Sequence, residues 1–263
     1  FTDLGFSERD AGFDGMIENI DQNMGRLMSK LDEWGLAKDT ILIFMSDNGS
    51  VGGMVREGSK LGMSREGKPM EGFNARMKGT KGSADEGGVR VPFFVRWPGK
   101  FPADQAVERI SAHIDLLPTL ADIVGIDQLP KGQVEGRSLL PLIKNPQAKW
   151  KDRYLFTQGA RWKTGSEPTD HMWKRFAVRN ERFRLVENKL YDMKKDPSQL
   201  MDIADKNPKV VQSMRLAYEK FWKETRPLMV NEEVPMSPTQ PYHVLHAKQL
   251  ENGGISDWNA TQL

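Results

Sequence analysis

The sequence predicts an α/β fold, and three observations point to it. An amphipathic helix over residues 16–34 leads through a short turn into the apolar run Thr40-Ile41-Leu42-Ile43-Phe44-Met45, the helix-then-strand order from which α/β layers are built. A second strand-length run, Val91 to Trp97, is followed by a second amphipathic helix. Past Pro146 the pattern changes to short strands separated by turns and closed by one more helix, which predicts a small antiparallel sheet with a packing helix.

In the first helix, Met16, Ile17, Ile20, Met24, Leu27, Met28, Leu31 and Trp34 recur at three- and four-residue steps. Glu18, Asp21, Gln22, Lys30 and Asp32 fill the other face, so the apolar stripe is expected to be core. Gly35 is its natural stop. The run that follows has the continuous apolar character of parallel strands buried on both faces. It ends at Ser46-Asp47-Asn48-Gly49, and ligand sites in open α/β sheets lie outside the carboxyl ends of strands. Residues 49–83 are Gly-rich, charged and aperiodic, the signature of a functional or disordered segment. Ile114, Leu116, Leu117, Leu120, Ile123 and Val124 make the second helical stripe, with Pro118 in its first turn and Gly125 at its end.

Tyr154–Thr157, Arg175–Arg179, Arg182–Val186 and Lys189–Asp192 then have strand character, with Asn180-Glu181 and Glu187-Asn188 as hairpin turns. Asn207 caps a helix from Pro208 to about Lys223, with Val211, Met214, Tyr218, Phe221 and Trp222 on its apolar face. Beyond Arg226 the sequence is Pro-rich and aperiodic, which predicts an extended tail. These shifts set expected boundaries at 1–146, 147–226 and 227–263.

The 263 residues carry 38 Lys and Arg against 36 Asp and Glu, a net charge of +2, with no long block of one sign. Nothing there favours a nucleic-acid partner. Cysteine is absent, which excludes disulfides, Cys-ligated zinc, iron–sulfur clusters and thiol nucleophiles within these residues. No apolar run approaches the roughly 18 residues of a membrane span. The chain starts at Phe1 without Met, and is expected to be a piece whose N-terminus is missing.

Four segments bear on chemistry. Asp47 and Asn48 put a carboxylate and an amide oxygen side by side, donors suited to Ca²⁺ or Mg²⁺, although Asp-Asn-Gly is also ordinary turn chemistry. In Lys78-Gly79-Thr80-Lys81-Gly82-Ser83, small residues around a lysine allow close approach of an anion; the alternative is a solvated loop lysine. Gly62 to Pro69 imitates a phosphate-binding loop, but Pro69 stands where a hydroxyl is needed and no strand precedes it. His243 and His246 lie without an acidic partner, and His113 and His171 are isolated. No Gly-x-Ser-x-Gly elbow occurs.

An ordered series of motifs carries a resemblance. Leu31-Asp32-Glu33-Trp34-Gly35-Leu36 precedes Asp39 to Gly49; Lys78 to Ser83, Glu86-Gly87-Gly88-Val89-Arg90-Val91-Pro92 and Arg96-Trp97-Pro98-Gly99 come next; His113 to Leu120, Gly136-Arg137-Ser138-Leu139 and Leu190-Tyr191-Asp192-Met193 follow. From about Ala11 to Trp222 the chain resembles the C-terminal half of a type I sulfatase, of the arylsulfatase family in the alkaline phosphatase superfamily. The resemblance implies part of a large mixed sheet flanked by helices. It implies that Asp47 and Asn48 ligate an active-site Ca²⁺, that Lys81 contacts the sulfate and assists the leaving oxygen, and that Glu86, Gly87, Gly88 and Arg90 position the loop. Ala84-Asp85 is more polar than the pair expected there.

The family nucleophile, a formylglycine made within Cys/Ser-x-Pro-Ser-Arg, has no counterpart here; Ser166-Glu167-Pro168-Thr169-Asp170 lacks the Arg. It and the remaining metal ligands are expected upstream of Phe1, so the chain alone should be inert. Arg161, Trp162, His171 and Lys174 are candidates, with Lys81, for gripping a sulfated small molecule or polysaccharide. The resemblance further implies a bacterial, periplasmic or secreted enzyme. Two alternatives stand beside it: a phosphodiesterase or phosphonate hydrolase of the same superfamily, against which Asn48 argues because His is expected after that Asp, and a non-catalytic sulfatase-like glycan-binding protein.

Overall fold

In the computed structural model the apolar stripe near the start does form a helix, α1 (Glu8–Glu33). Gly35 stops it at φ 71°. There the N–H of Leu36 donates to Leu31 O at 2.9 Å and that of Gly35 to Asp32 O at 3.1 Å, the paired C-terminal cap that a left-handed glycine permits. The stripe itself is not core. Met16 is 58% and Ile17 50% exposed, and Ile20 and Leu27 are exposed too, while Leu31 is buried. No sheet among the described residues covers it. Those residues are 8–50, 74–75, 77–126, 128–130, 132, 134–159, 162–163, 166–229 and 239–254. The loop look-alike Gly62 to Pro69 and the substrate candidate Arg161 lie outside them.

Strand β1 (Leu42–Met45) pairs antiparallel with β2 (Phe93–Arg96), with Phe44 opposite Phe94. The expectation of a parallel-type strand buried on both faces is therefore corrected. Among the described residues β1 has one sheet neighbour, so its apolar side chains stay half-buried and Met45 is exposed. Between the two strands in sequence lies α2 (Glu86–Val89), a single helical turn. After β2 come α3 (Leu116–Ile123) and α4 (Leu140–Lys144).

Four strands, β3 (Leu155–Gln158), β4 (Phe176–Arg179), β5 (Phe183–Val186) and β6 (Lys189–Asp192), form one antiparallel sheet in the order β3-β4-β5-β6. Helix α5 (Pro208–Met229) follows. Period-two alternation gives the sheet two faces with different work. Phe156, Val178, Leu185 and Leu190 are in cross-strand register on one face. There Phe156 stacks on Phe221 at 4.5 Å and Phe176 on Tyr218 at 4.3 Å, and Phe176, Val178, Leu185, Leu190, Met214 and Tyr218 are fully buried. On the other face Arg179, Arg184 and Tyr191 stand in register across three strands.

The chain divides into two compact units, Phe1–Trp222 and Lys223–Leu263. Two element expectations past Lys223 are corrected. Helix α5 continues to Met229 with Pro227 inside it. Residues expected to be extended form α6 (Pro241–Glu251), with Pro241 in the first turn and no buried residue. Its Leu, Ala, Lys, Gln and Glu favour helix without building a stripe, so apolar periodicity gave no sign of it. No described helix is long and apolar enough to cross a membrane.

Candidate active site

The turn leaving β1 is fixed by backbone contacts. Ser46 Oγ donates to Asn48 O at 3.1 Å, and the Gly49 N–H donates to Gly88 O at 3.0 Å. The Lys81 N–H donates to Ser50 O at 3.3 Å. A Cβ at Gly49 would sit 1.9 Å from Gly87 O, so only glycine lets the two backbones approach this closely. Asp47 is exposed and Asn48 half-buried. Among the described residues no hydrogen bond or ion pair engages the Asp47 carboxylate. The pair fits a hard cation by donor type, but two donors are short of the roughly six to eight that Ca²⁺ takes. No group of three or more His, Asp or Glu able to hold a metal occurs among the described residues.

Lys81 is exposed on a loop whose far end is buried. The row Arg179–Arg184–Tyr191 grips that end from the sheet. Arg184 Nη2 lies 2.7 Å from Glu86 Oε2, Arg184 Nη1 donates to Ala84 O at 2.7 Å, and Arg179 Nε lies 3.5 Å from Glu86 Oε2. Two arginines directly opposite each other repel, and Glu86 between them offsets it. Burial pushes the Glu86 carboxyl up, but the charges of Arg184 and Arg179 outweigh burial and hold it below its ordinary value. Lys78 Nζ donates to the Tyr191 hydroxyl at 3.0 Å and lies 3.6 Å from Asp85 Oδ1. Burial alone would push the Lys78 ammonium down; Tyr191 and Asp85 reverse that and raise it. Lys78 is thereby held charged and occupied.

Asp85, the unexpectedly polar member of the Ala84-Asp85 pair, is buried. It accepts a hydrogen bond from Gln199 Nε2 at 2.9 Å, while Gln199 Oε1 accepts one from the Glu86 N–H at 2.8 Å.

The sugar-gripping candidates are placed as follows. Trp162 stacks on His171, ring centroids 5.4 Å apart. Gln158 Nε2 donates to His171 O at 3.3 Å and Lys174 O at 3.2 Å, and Lys174 is exposed. No described contact joins Lys81 to Trp162, His171 or Lys174. The link runs through Arg175, whose Nη2 donates to Gly82 O at 2.8 Å.

Arg175, Arg184 and Gln199 were not singled out by sequence reasoning, and Tyr191 entered only as part of the Leu190-Tyr191-Asp192-Met193 motif, with no role attached. Arg184 carried a signal: an arginine between Phe183 and Leu185 in an apolar strand demands a buried carboxylate. Gln199 carried none.

The family described as Sulfatase matches residues 7–126, and that described as N-sulphoglucosamine sulphohydrolase, C-terminal, matches residues 81–224. Steryl-sulfatase of Mus musculus is 33% identical over 184 residues, 67% of this chain and 28% of that protein. An N-acetylgalactosamine-6-O-sulfatase of Bacteroides thetaiotaomicron is 29% identical over 217 residues, 76% of this chain and 39% of that protein. The solved structure of Ps i-CgsB in complex with k-i-k-neocarrahexaose is similar at a TM-score of 0.62 and 24% identity, over 83% of this chain and 44% of that one; at that identity the likeness speaks for the fold alone. The chain thus spans 28% to 44% of the length of these relatives.

Proposed function

This chain belongs to the sulfatase family, and on that premise we propose that it is part of a sulfuric ester hydrolase that depends on Ca²⁺ and acts on a sulfated carbohydrate. The observation that carries the reading is the pair of backbone hydrogen bonds, Gly49 to Gly88 and Lys81 to Ser50, that fasten the Asp47–Asn48 turn to the lysine loop. They put two oxygen donors and one exposed cation on adjoining strands of backbone.

Asp47 and Asn48 would hold the cation, together with donors from outside these residues. When bound, Ca²⁺ supplies Lewis-acid polarisation of a sulfate oxygen. The Lys81 ammonium offsets negative charge developing on the departing oxygen, the kind of preorganised stabilisation that is strongest at a developing charge. The formylglycine nucleophile belongs to the part of the protein outside these residues, so the 263 residues alone do not turn over substrate. A carbohydrate substrate is supported by the sugar-sulfatase names among the matches and by Trp162, a ring suited to stacking on a sugar.

The test is the complete protein, assayed on an aryl sulfate and on sulfated sugars with Ca²⁺ and with chelator. Turnover should need Ca²⁺, and Lys81→Ala should lower kcat by roughly 10²- to 10³-fold. Faster turnover of a phosphonate or phosphodiester would replace the reading with the superfamily alternative. Glycan binding without turnover would make the protein a non-catalytic relative.

A further inference from the structure

We propose that Gln199 is a positioning residue for the Lys81 loop, acting through Asp85 and the Glu86 N–H; the proposal rests on the role assigned to Lys81 above. Gln199 follows the four-stranded sheet, past the turn closed by its own N–H donating to Asp196 O at 3.1 Å. It is 2% exposed and sits at φ 54°, in the left-handed region, where a residue with a side chain is strained. Both of its described side-chain partners lie in the lysine loop: Oε1 takes the Glu86 N–H and Nε2 donates to Asp85.

The consequences run up the loop. At the first residue of α2 the Glu86 N–H has no partner within its own helix, and Gln199 supplies one. The asymmetry of the amide, acceptor towards a backbone N–H and donor towards a carboxylate, fixes the orientation of Asp85. Asp85 in turn faces Lys78, three residues before Lys81. The Lys78 and Gly79 carbonyls lie against Gly87, whose N–H donates to Lys78 O at 2.8 Å. A strained, buried residue whose amide meets the loop at both Asp85 and Glu86 is placed to set the loop's path. Its side-chain hydrogen bonds with that loop offset part of the local cost.

Four variants test this. In the complete protein, Gln199→Ala should lower kcat by roughly 10- to 100-fold with KM little changed, the signature of a misplaced group that acts in the transition state. Gln199→Gly relieves the left-handed strain but restores neither hydrogen bond, so it should recover stability and leave kcat low. Gln199→Glu sets two carboxylates against each other and should be worse than Ala. Adding Asp85→Asn to it keeps the acceptor for the Glu86 N–H and replaces the carboxylate–carboxylate contact by a donor–acceptor pair, at the cost of the Asp85 charge that faces Lys78, and should return kcat part of the way above that of Gln199→Glu. In parallel, amide exchange of the 263-residue chain should speed up over residues 78–89 in Gln199→Gly and leave strands β4 to β6 protected. Wild-type kcat in Gln199→Gly, no rescue by the double variant, or exchange that is unchanged or raised throughout would overturn the proposal. If the complete protein hydrolyses no sulfate ester, the functional reading falls, and the exchange pattern still decides whether Gln199 sets the loop.

Discussion

Arg184 and Glu86, 98 residues apart in sequence, meet in a buried ion pair with Arg184 Nε donating to Glu86 Oε2 at 2.9 Å. Their side chains are 4% and 8% exposed. The pair joins the four-stranded sheet to the loop that carries Lys81. The sheet is therefore part of that loop's scaffold.

Breaking that pair should be costly. Arg184→Met leaves the Glu86 carboxylate buried with two weaker partners, Arg179 at 3.5 Å and the exposed Arg90 at 3.8 Å, and losses of about 3–5 kcal/mol follow when one member of such a pair is removed. Denaturant unfolding of the 263-residue chain checks this. Acid should act on the same pair. A carboxyl held lower in the folded than in the unfolded chain stabilises the fold above roughly pH 4.3. That contribution is lost as pH falls through the depressed folded value. Glu86→Gln should therefore be less stable than wild type at neutral pH, with a difference that narrows in acid; a constant offset down to low pH would contradict it.

Asp115 offers a second, independent case. It is fully buried at the start of α3, and accepts the Ala112 N–H at 2.9 Å, the Arg137 N–H at 2.8 Å and Arg153 Nη1 at 2.7 Å. Arg153 Nη2 completes a two-pronged pair with the same carboxylate. Burial pushes this carboxyl up, and the hydrogen bonds from Arg153, Arg137 and Ala112 hold it down. Asp115→Asn must turn an amide N–H₂ towards a donor and should lose about 3 kcal/mol or more. Thermal unfolding would reveal it, and an unchanged midpoint would mean that the site relaxes.

How much of this was legible follows from the kind of signal each part leaves. The helix α1, the strand β1 and the strands β4 to β6 rest on local periodicity, and the sequence displays them. What covers them is not local. The α1 stripe predicts a buried face, yet Met16 and Ile17 are exposed because no described element reaches them. For the same reason β1 has a single antiparallel neighbour among the described residues. The Asp47–Asn48 turn and the Lys81 loop were found as motifs, but their union depends on hydrogen bonds from Gly49 and Lys81 across tens of residues. Arg184 could be suspected from its apolar neighbours, whereas Gln199 looks like any loop glutamine until its buried partners are known.

Tyr218 should show how the Trp162–His171 segment is anchored. Its hydroxyl donates to Met172 O at 2.8 Å and also meets Gln158 Oε1, and burial pushes the phenol far above its ordinary range, so it stays a donor. One hydroxyl proton serves one of these acceptors at a time. Tyr218→Phe keeps the stacking on Phe176 and removes that donor, which should cost about 1–3 kcal/mol. In the complete enzyme KM for a sulfated sugar should rise more than kcat falls, since Lys81 is untouched; a pure kcat effect would contradict the anchoring role.

Gly49 is where the Asp47–Asn48 turn and the lysine loop are pressed together, and Gly49→Ala should separate them. The new Cβ would meet Gly87 O at 1.9 Å and Gly88 Cα at 2.8 Å. Both are backbone atoms, so no rotamer change relieves the clash and the turn itself must move. Overpacking of this kind costs about 1–3 kcal/mol, and the Gly49-to-Gly88 hydrogen bond should be lost, seen as faster exchange of the Gly49 amide. Gly25→Ala in α1 is the matched control, because nothing lies within 4 Å of its Cβ position; it should stabilise the helix by up to about 1 kcal/mol. In the complete protein Gly49→Ala should raise the Ca²⁺ concentration needed for half-maximal activity, since Asp47 and Asn48 move with the turn. If that concentration stays the same while stability falls, these two residues do not ligate the metal, and the close approach at Gly49 serves the fold alone.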